Sequence, residues 1–358
     1  MTLNYLPLLK LGGPPYEIGY GHGKEGKEGI HDFLNHVIQH GREFAPGLTK
    51  EKAAARVKLY APFIEAYAPH LTQEIRGIAD GAAISIEEAY LLQLRAEFTQ
   101  LTLDEAPGEG CTSFAIPKGK TEDGNVWVGQ NLDLNPFYKQ FGVMLHITPE
   151  RGPAILCYSQ IGSLAHAGIN SAGTGWAANA LFSSGWRPGV PRPVLYRLLL
   201  EKESLSEAVR VVSEAKRASS CNYLMGHISG EIKNLEATPD HCGLVESHGE
   251  VMVHANHFVH PDMVPFERRP KDKLANSKFR EDRFRQLVTR PGGKLSIDRL
   301  KIILGDHDLY PTAVCTHPEG NPWNMMTIAS IIMQPAAGLM HVSLGPGCTN
   351  PYETYSLN

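Results

Sequence analysis

The sequence predicts an α+β fold in which two antiparallel sheets pack face to face and helices cover the outside. Three observations carry this. Helical and stranded segments alternate in blocks along the 358 residues, with no repeat period and no low-complexity linker. The strands come in pairs around short turns, which favours antiparallel pairing over a doubly wound sheet. Neither GxGxxG after a strand nor GxxxxGK(S/T) occurs, so nucleotide-binding folds have no support.

The elements follow in order. GIHDFLNHVIQHGREF spaces Ile30, Phe33, Leu34, Val37 and Ile38 as one helical stripe, and ARVKLYAPFIEAY repeats the pattern with Val57, Tyr60, Phe63, Ile64 and Tyr67. Ser85 followed by Glu88 is a capping box, opening a helix expected to run to Phe98. At LDEAPGEGC acidic residues, proline and glycine make a loop, after which the pattern alternates. SFAIP and VWVGQNLDL read as one hairpin, GVMLHITP and AILCYSQ as a second, and INSAGTGWAANAL as a third with Ser171 to Gly173 in its bend. Helices return from Pro193 to about Ala218. Short strands follow at NYLMGHI, KNLEATP, GLVES and VMVHAN. A further helical stretch covers roughly Asn276 to Leu304, and MTIASIIM and GLMHVSL are the closing strands.

Composition narrows the function. Lys plus Arg number 34 and Asp plus Glu 38, a net charge of −4, with no basic stripe, so no nucleic-acid partner is expected. No apolar run is long enough for a membrane span, and MTLNYLPLLKLGGPP lacks the basic leader of a secretory signal, so the expected location is cytoplasmic. The six cysteines (111, 157, 221, 242, 315, 348) are widely spaced without CxxC, which suits reduced thiols. In HANHFVH, a strand from Val251 to Val259 would scatter His254, His257 and His260. No metal and no cofactor are expected.

Two glycine-cysteine bonds remain, in GEGCTSF (108–114) and GPGCTNP (345–351). A cut before Cys348 would release a peptide too short to hold structure. A cut between Gly110 and Cys111 would leave a mainly helical segment, 1–110, and a second chain, 111–358, both with ample packing surface and together one αββα domain. Glycine puts no side chain in the way of a thiol attacking the preceding carbonyl. The product cysteine carries a free α-amine, whose ordinary pKa of about 7.7–8.0 suits it to activate its own Sγ. Taken alone, Gly-Cys fits a small buried residue opening a strand equally well.

The chain resembles the acyl-coenzyme A:6-aminopenicillanic acid acyltransferase family of N-terminal-nucleophile hydrolases, kin of choloylglycine hydrolases and penicillin V acylases. The resemblance runs through GPPYEIGYGHG (13–23), EIRGIADGA (74–82), LRAEF (94–98), GCTSF, GQNLD (129–133), GINSAGTGWAANAL (168–181), VHANH (253–257) and Tyr310-Pro311. It implies a four-layer αββα sandwich and a zymogen that cuts itself at Gly110–Cys111. It implies Cys111 as nucleophile with its new amine as base, Asp133 orienting amine and thiol, and Asn179 and Asn256 lining an oxyanion pocket. Arg95 and Glu97 match as well, with a structural or processing role; a helix-surface ion pair is the plainer alternative. The family commonly has arginine directly after the cysteine of YPTAVCTHP; here Thr316 stands, with His317 beside it as the available substitute.

These features lead to a small-molecule N-acyl amide as substrate, cleaved through a thioester by a mature protein of two chains from one precursor. Three alternatives stand beside this: N-acyl transfer to an amine such as a penicillin nucleus, an uncut Cys/His thiol hydrolase, and a non-catalytic binding protein of the same fold. The residues that bind substrate are not readable.

Overall fold

A computed structural model describes residues 6–44, 47–94, 97, 110–290 and 292–358. Five helices open it: α1 (Pro15–Glu25), α2 (Lys27–Phe44), α3 (Lys50–Tyr67), α4 (Pro69–Ala82) and α5 (Ile86–Leu92). The α2 stripe read from the sequence is buried, from Ile30 to Ile38. The capping box of α5 forms: Ser85 Oγ accepts from the Glu88 amide, and the Glu88 carboxylate accepts from the Ser85 amide at 2.9 Å. α5 ends at Leu92, with Gln93 as its cap and the Gln93 side chain turned inward; Phe98, where the helix was expected to end, lies outside the described residues. The Gln93 side-chain nitrogen donates to Gly162 O at 2.8 Å and its oxygen accepts from Leu164 N at 3.0 Å.

The strands make two sheets. One has eight, in the order β1-β4-β5-β6-β7-β8-β9-β10: β1 (Leu8–Gly13), β4 (Gly142–Pro149), β5 (Ile155–Gln160), β6 (Ala167–Asn170), β7 (Thr174–Ala180), β8 (Cys221–His227), β9 (Ile232–Ala237) and β10 (Cys242–Glu246). The other has six, in the order β11-β2-β3-β12-β13-β14: β11 (Met252–His254), β2 (Gly110–Ile116), β3 (Trp127–Leu134), β12 (Met326–Gln334), β13 (Leu339–Leu344) and β14 (Tyr352–Ser356). The three hairpins read from the sequence are all present. Neither β1 nor β14 was legible, and β1 departs from the antiparallel expectation by pairing parallel with β4. The expected strand from Val251 to Val259 ends at His254, because Glu236 takes the Val259 and His260 amides (2.7 and 3.1 Å) and turns the chain away.

The sheets meet through β2 and β3 against β7 and β8. Four helices follow the first five among the described residues: α6 (Arg192–Leu199), α7 (Leu205–Glu214), α8 (Lys271–Thr289) and α9 (Ile297–Leu304). α7 lies on β8 and β9, while α8 and α9 cover the six-stranded sheet, with Phe284 stacked on Phe114 at 5.2 Å. The layers are therefore helix, sheet, sheet, helix.

Candidate active site

β2 carries Cys111, and its pleat decides what faces what. Phe114 and Ile116 point to the cluster under α8, whereas Cys111 and Ala115 belong to the core between the sheets. Thr112 therefore shares the α8 face, and Ser113 shares the face of the thiol.

β11 pairs with β2 only from Ala115 to Ser113, so the backbone of Cys111 has no strand partner on that side. A buried amide and carbonyl need partners, and two side chains supply them. Asn256 Oδ1 accepts from the Cys111 amide at 2.8 Å, and Arg280, from α8, donates to the Cys111 carbonyl at 2.6 Å. The same guanidinium donates to Thr112 Oγ1 at 2.9 Å, to Asn256 Oδ1 at 2.8 Å and, through Nε, to Asn276 Oδ1 at 2.9 Å. Asn276 in turn donates to Thr312 O at 2.6 Å. Burial pushes the Arg280 pKa down, opposed by Asp133 and Cys111, and an arginine stays charged throughout. A fixed cation thus lies in the buried centre.

Asp133 on β3 stands directly across from Gly110. A Cβ on Gly110 would lie 3.1 Å from Asp133 Oδ2, so the close approach of the carboxylate explains the glycine. Oδ1 accepts from Thr327 at 2.6 Å, while Oδ2 is buried without a hydrogen-bond partner. Burial raises the Asp133 pKa, opposed chiefly by Arg280. The register sets Asp133 on the face of Gly110, and Cys111 and Leu132 on the opposite one. Its carboxylate is therefore beside the glycine end of the 110–111 bond, away from the thiol's face.

Asn179 lies on β7, in the facing sheet. Its Oδ1 accepts from Ser113 Oγ at 2.6 Å and Asn222 Nδ2 at 3.0 Å, and its Nδ2 donates to His254 O at 3.3 Å. The Asn256 Nδ2 donates to Ala180 O at 3.1 Å. Both amides expected to line an oxyanion pocket are committed to protein partners in the uncut chain.

The remaining sequence candidates divide. Arg95 and the loop before Gly110 lie outside the described residues. Glu97 is buried, not on a helix surface; its Oε1 accepts from Ser219 Oγ at 2.7 Å and the Arg192 amide at 3.2 Å, which fits a structural anchor. Thr316 donates its amide to Thr327 Oγ1 at 2.9 Å, one step behind Asp133. His317 points elsewhere, to His307 and Cys348, and does not substitute for an arginine there. The guanidinium comes from Arg280, which sequence reasoning missed. One signal was present: the buried stripe of α8 starts with Asn276, Ser277 and Arg280 before turning apolar at Phe284 and Leu287.

Comparison with known proteins agrees with this architecture. The family model for acyl-coenzyme A:6-aminopenicillanic acid acyl-transferase matches residues 120–347. A protein of Emericella nidulans, the 40 kDa form of acyl-coenzyme A:6-aminopenicillanic-acid-acyltransferase, is 30% identical over 353 residues, 96% of this chain and 93% of that one. An uncharacterized protein of Archaeoglobus fulgidus is 24% identical over 308 residues, 72% of this chain and 51% of that one. A solved variant of conjugated bile acid hydrolase from Clostridium perfringens superposes with a TM-score of 0.50 at 12% identity, over 69% of this chain and 97% of that one. That likeness is one of fold.

Proposed function

The chain belongs to the acyl-coenzyme A:6-aminopenicillanic acid acyl-transferase family and has the N-terminal-nucleophile hydrolase fold, and from this we propose that it is a self-processing N-terminal cysteine amidohydrolase acting on a small N-acyl amide. One observation carries the reading: the Gly110–Cys111 bond has Asn256 on its nitrogen side and an unpartnered Asp133 oxygen beside Gly110, with the Arg280 cation adjoining.

In processing, Cys111 Sγ attacks the Gly110 carbonyl and forms a C–S bond. The C–N bond breaks, and the amide nitrogen takes the thiol proton to become an α-amine. Water then cleaves the thioester, giving a Gly110 carboxylate and restoring the thiol. The amine keeps Asn256 Oδ1 as its acceptor, beside its own Sγ, and serves as the base that loads the thiolate. In turnover the thiolate attacks the acyl carbonyl, the amine passes its proton to the leaving nitrogen, and water resolves the acyl-enzyme. Arg280 stabilises negative charge as it develops, an effect worth several kcal/mol in a water-poor centre.

The name of the Emericella relative favours a second reading, in which an amine rather than water resolves the thioester. Mature protein incubated with a panel of N-acyl amides, with and without amine acceptors, tests both. Hydrolysis without acceptor, abolished in Cys111→Ser, is the expected result; turnover only with an acceptor would assign transfer, and turnover unaffected in Cys111→Ser would refute the mechanism.

A further inference from the structure

Among the described residues, a cluster of potential metal ligands takes no part in the proposed reaction. The loop after α9 brings His307, Cys315 and His317 together, and Cys348, from the turn between β13 and β14, meets them there. One donor atom of each lies within 4.8 Å of all the others. The separations are 3.1 Å between the two imidazole Nε2 atoms, 3.5 Å between the two Sγ atoms, and 3.3 and 3.6 Å from His317 Nε2 to the sulfurs of Cys348 and Cys315.

These are close to the edges of a coordination tetrahedron. Zinc with Zn–S of about 2.3 Å and Zn–N of about 2.0–2.1 Å has edges of about 3.8 Å (S–S), 3.6 Å (S–N) and 3.4 Å (N–N). Each of these four separations falls within about 0.3 Å of its ideal, His307 Nε2 lies within 4.8 Å of both sulfurs, and the thiolate-imidazole donor set suits zinc over calcium or magnesium. We propose that His307, Cys315, His317 and Cys348 bind one zinc ion as a closed four-ligand centre. Binding displaces both thiol protons to solvent and uses the Nε2 lone pairs of two neutral imidazoles. Four protein ligands leave no position for substrate, so the ion is structural.

The centre lies behind both charged groups of the active site. Thr316, between two ligands, reaches Asp133 through Thr327 (2.9 and 2.6 Å). Thr312, on the same loop, accepts from Asn276, which holds Arg280 Nε (2.6 and 2.9 Å). The ion would fix the loop that positions both, and this holds whatever the enzyme's substrate.

Full-length protein, reduced and stripped with a chelator, is reloaded with Zn(II) or with Co(II) as a spectroscopic probe. The expected result is saturation at about one ion per chain, with intense tetrahedral d–d bands and a thiolate charge-transfer band for Co(II). Cys348→Ser, at an exposed position, should lower Zn(II) affinity at least about tenfold while keeping the native circular dichroism. The cobalt spectrum of unsubstituted protein stands as evidence even if that variant folds poorly. No saturable binding, an octahedral spectrum without charge transfer, or equal affinity in Cys348→Ser would overturn the proposal. So would a protein about 2 Da lighter through a Cys315–Cys348 disulfide that forms in glutathione buffer, which would make the pair a redox couple.

Discussion

Arg280 joins separate parts of the candidate site: the Cys111 carbonyl, Thr112 Oγ1, the Asn256 oxygen and Asn276 on its own helix. Lysine cannot reproduce that planar fork. Arg280→Lys is predicted to fold but to process slowly. Arg280→Ala, which leaves the buried Cys111 carbonyl and the Asn256 and Asn276 oxygens without their donor, is predicted to cost about 3 kcal/mol or more in urea unfolding. Equal processing by wild type and Arg280→Lys would remove Arg280 from the account. The contrast between Arg280 and Cys111 shows what the sequence discloses about a site. Cys111, Asp133, Asn179 and Asn256 were singled out through the resemblance to the family's segments; the fold sets Asp133 across from Gly110, Asn256 on the Cys111 amide and Asn179 on Ser113, two residues along the strand. Arg280 sits in a charged helix far along the chain, where its one local signal is its place on the stripe that continues through Phe284 and Leu287, and no motif marks it.

At the scale of elements, α1 and α4 lie in the segment read as mainly helical but were not delimited individually. Their shared face is built from Gly19, Gly23, Gly77 and Gly81; α1 therefore buries Ile18 as its one large aliphatic and shows no apolar stripe, whereas α4 does carry one in Leu71, Ile75, Ile78 and Ala82. A Cβ on Gly19 would collide with Glu74 O, one on Gly77 with Tyr16 O, and one on Gly81 with Tyr20 O. The two backbones touch, and no side chain can move aside. Gly77→Ala is therefore predicted to cost about 3 kcal/mol or more, whereas Gly119→Ala, with nothing within 4 Å, should be nearly neutral; paired thermal melts check this.

The α1 contact with the β5–β6 turn adds a pH dependence. His22 Nε2 accepts from the Gly162 amide at 2.9 Å, which requires a neutral ring, and burial lowers its pKa to about 4. The folded value lies below the unfolded value of about 6.5, so the unfolded chain gains the proton first as pH falls. Stability from this group is complete above pH 6.5 and is lost on the way down to about pH 4, to the extent of about 3 kcal/mol. In His22→Gln the urea midpoint should depend less on pH across that window; an unchanged slope would contradict the assignment.

At the scale of the whole molecule, the alternation of blocks was enough to give the sandwich, because hairpins and stripes are local patterns. The pairing of β1 with β4 was not legible, since partners more than 130 residues apart leave no local trace. That long-range pairing matters to the proposed cut. Residues 1–110 are tied to the rest by β1 on β4, by His22 to Gly162, by Glu74 to Arg197 at 3.3 Å and by Tyr67 to Val211 at 2.6 Å. Two chains severed at Gly110–Cys111 would remain one folded body. The intact mass of denatured wild-type protein beside Cys111→Ala tests this most directly. Two fragments, 1–110 and 111–358, from wild type and a single chain from the variant are the predicted result. A single uncut mass from wild-type protein that nevertheless hydrolyses acyl amides would contradict the account, because no free amine would then exist beside the thiol.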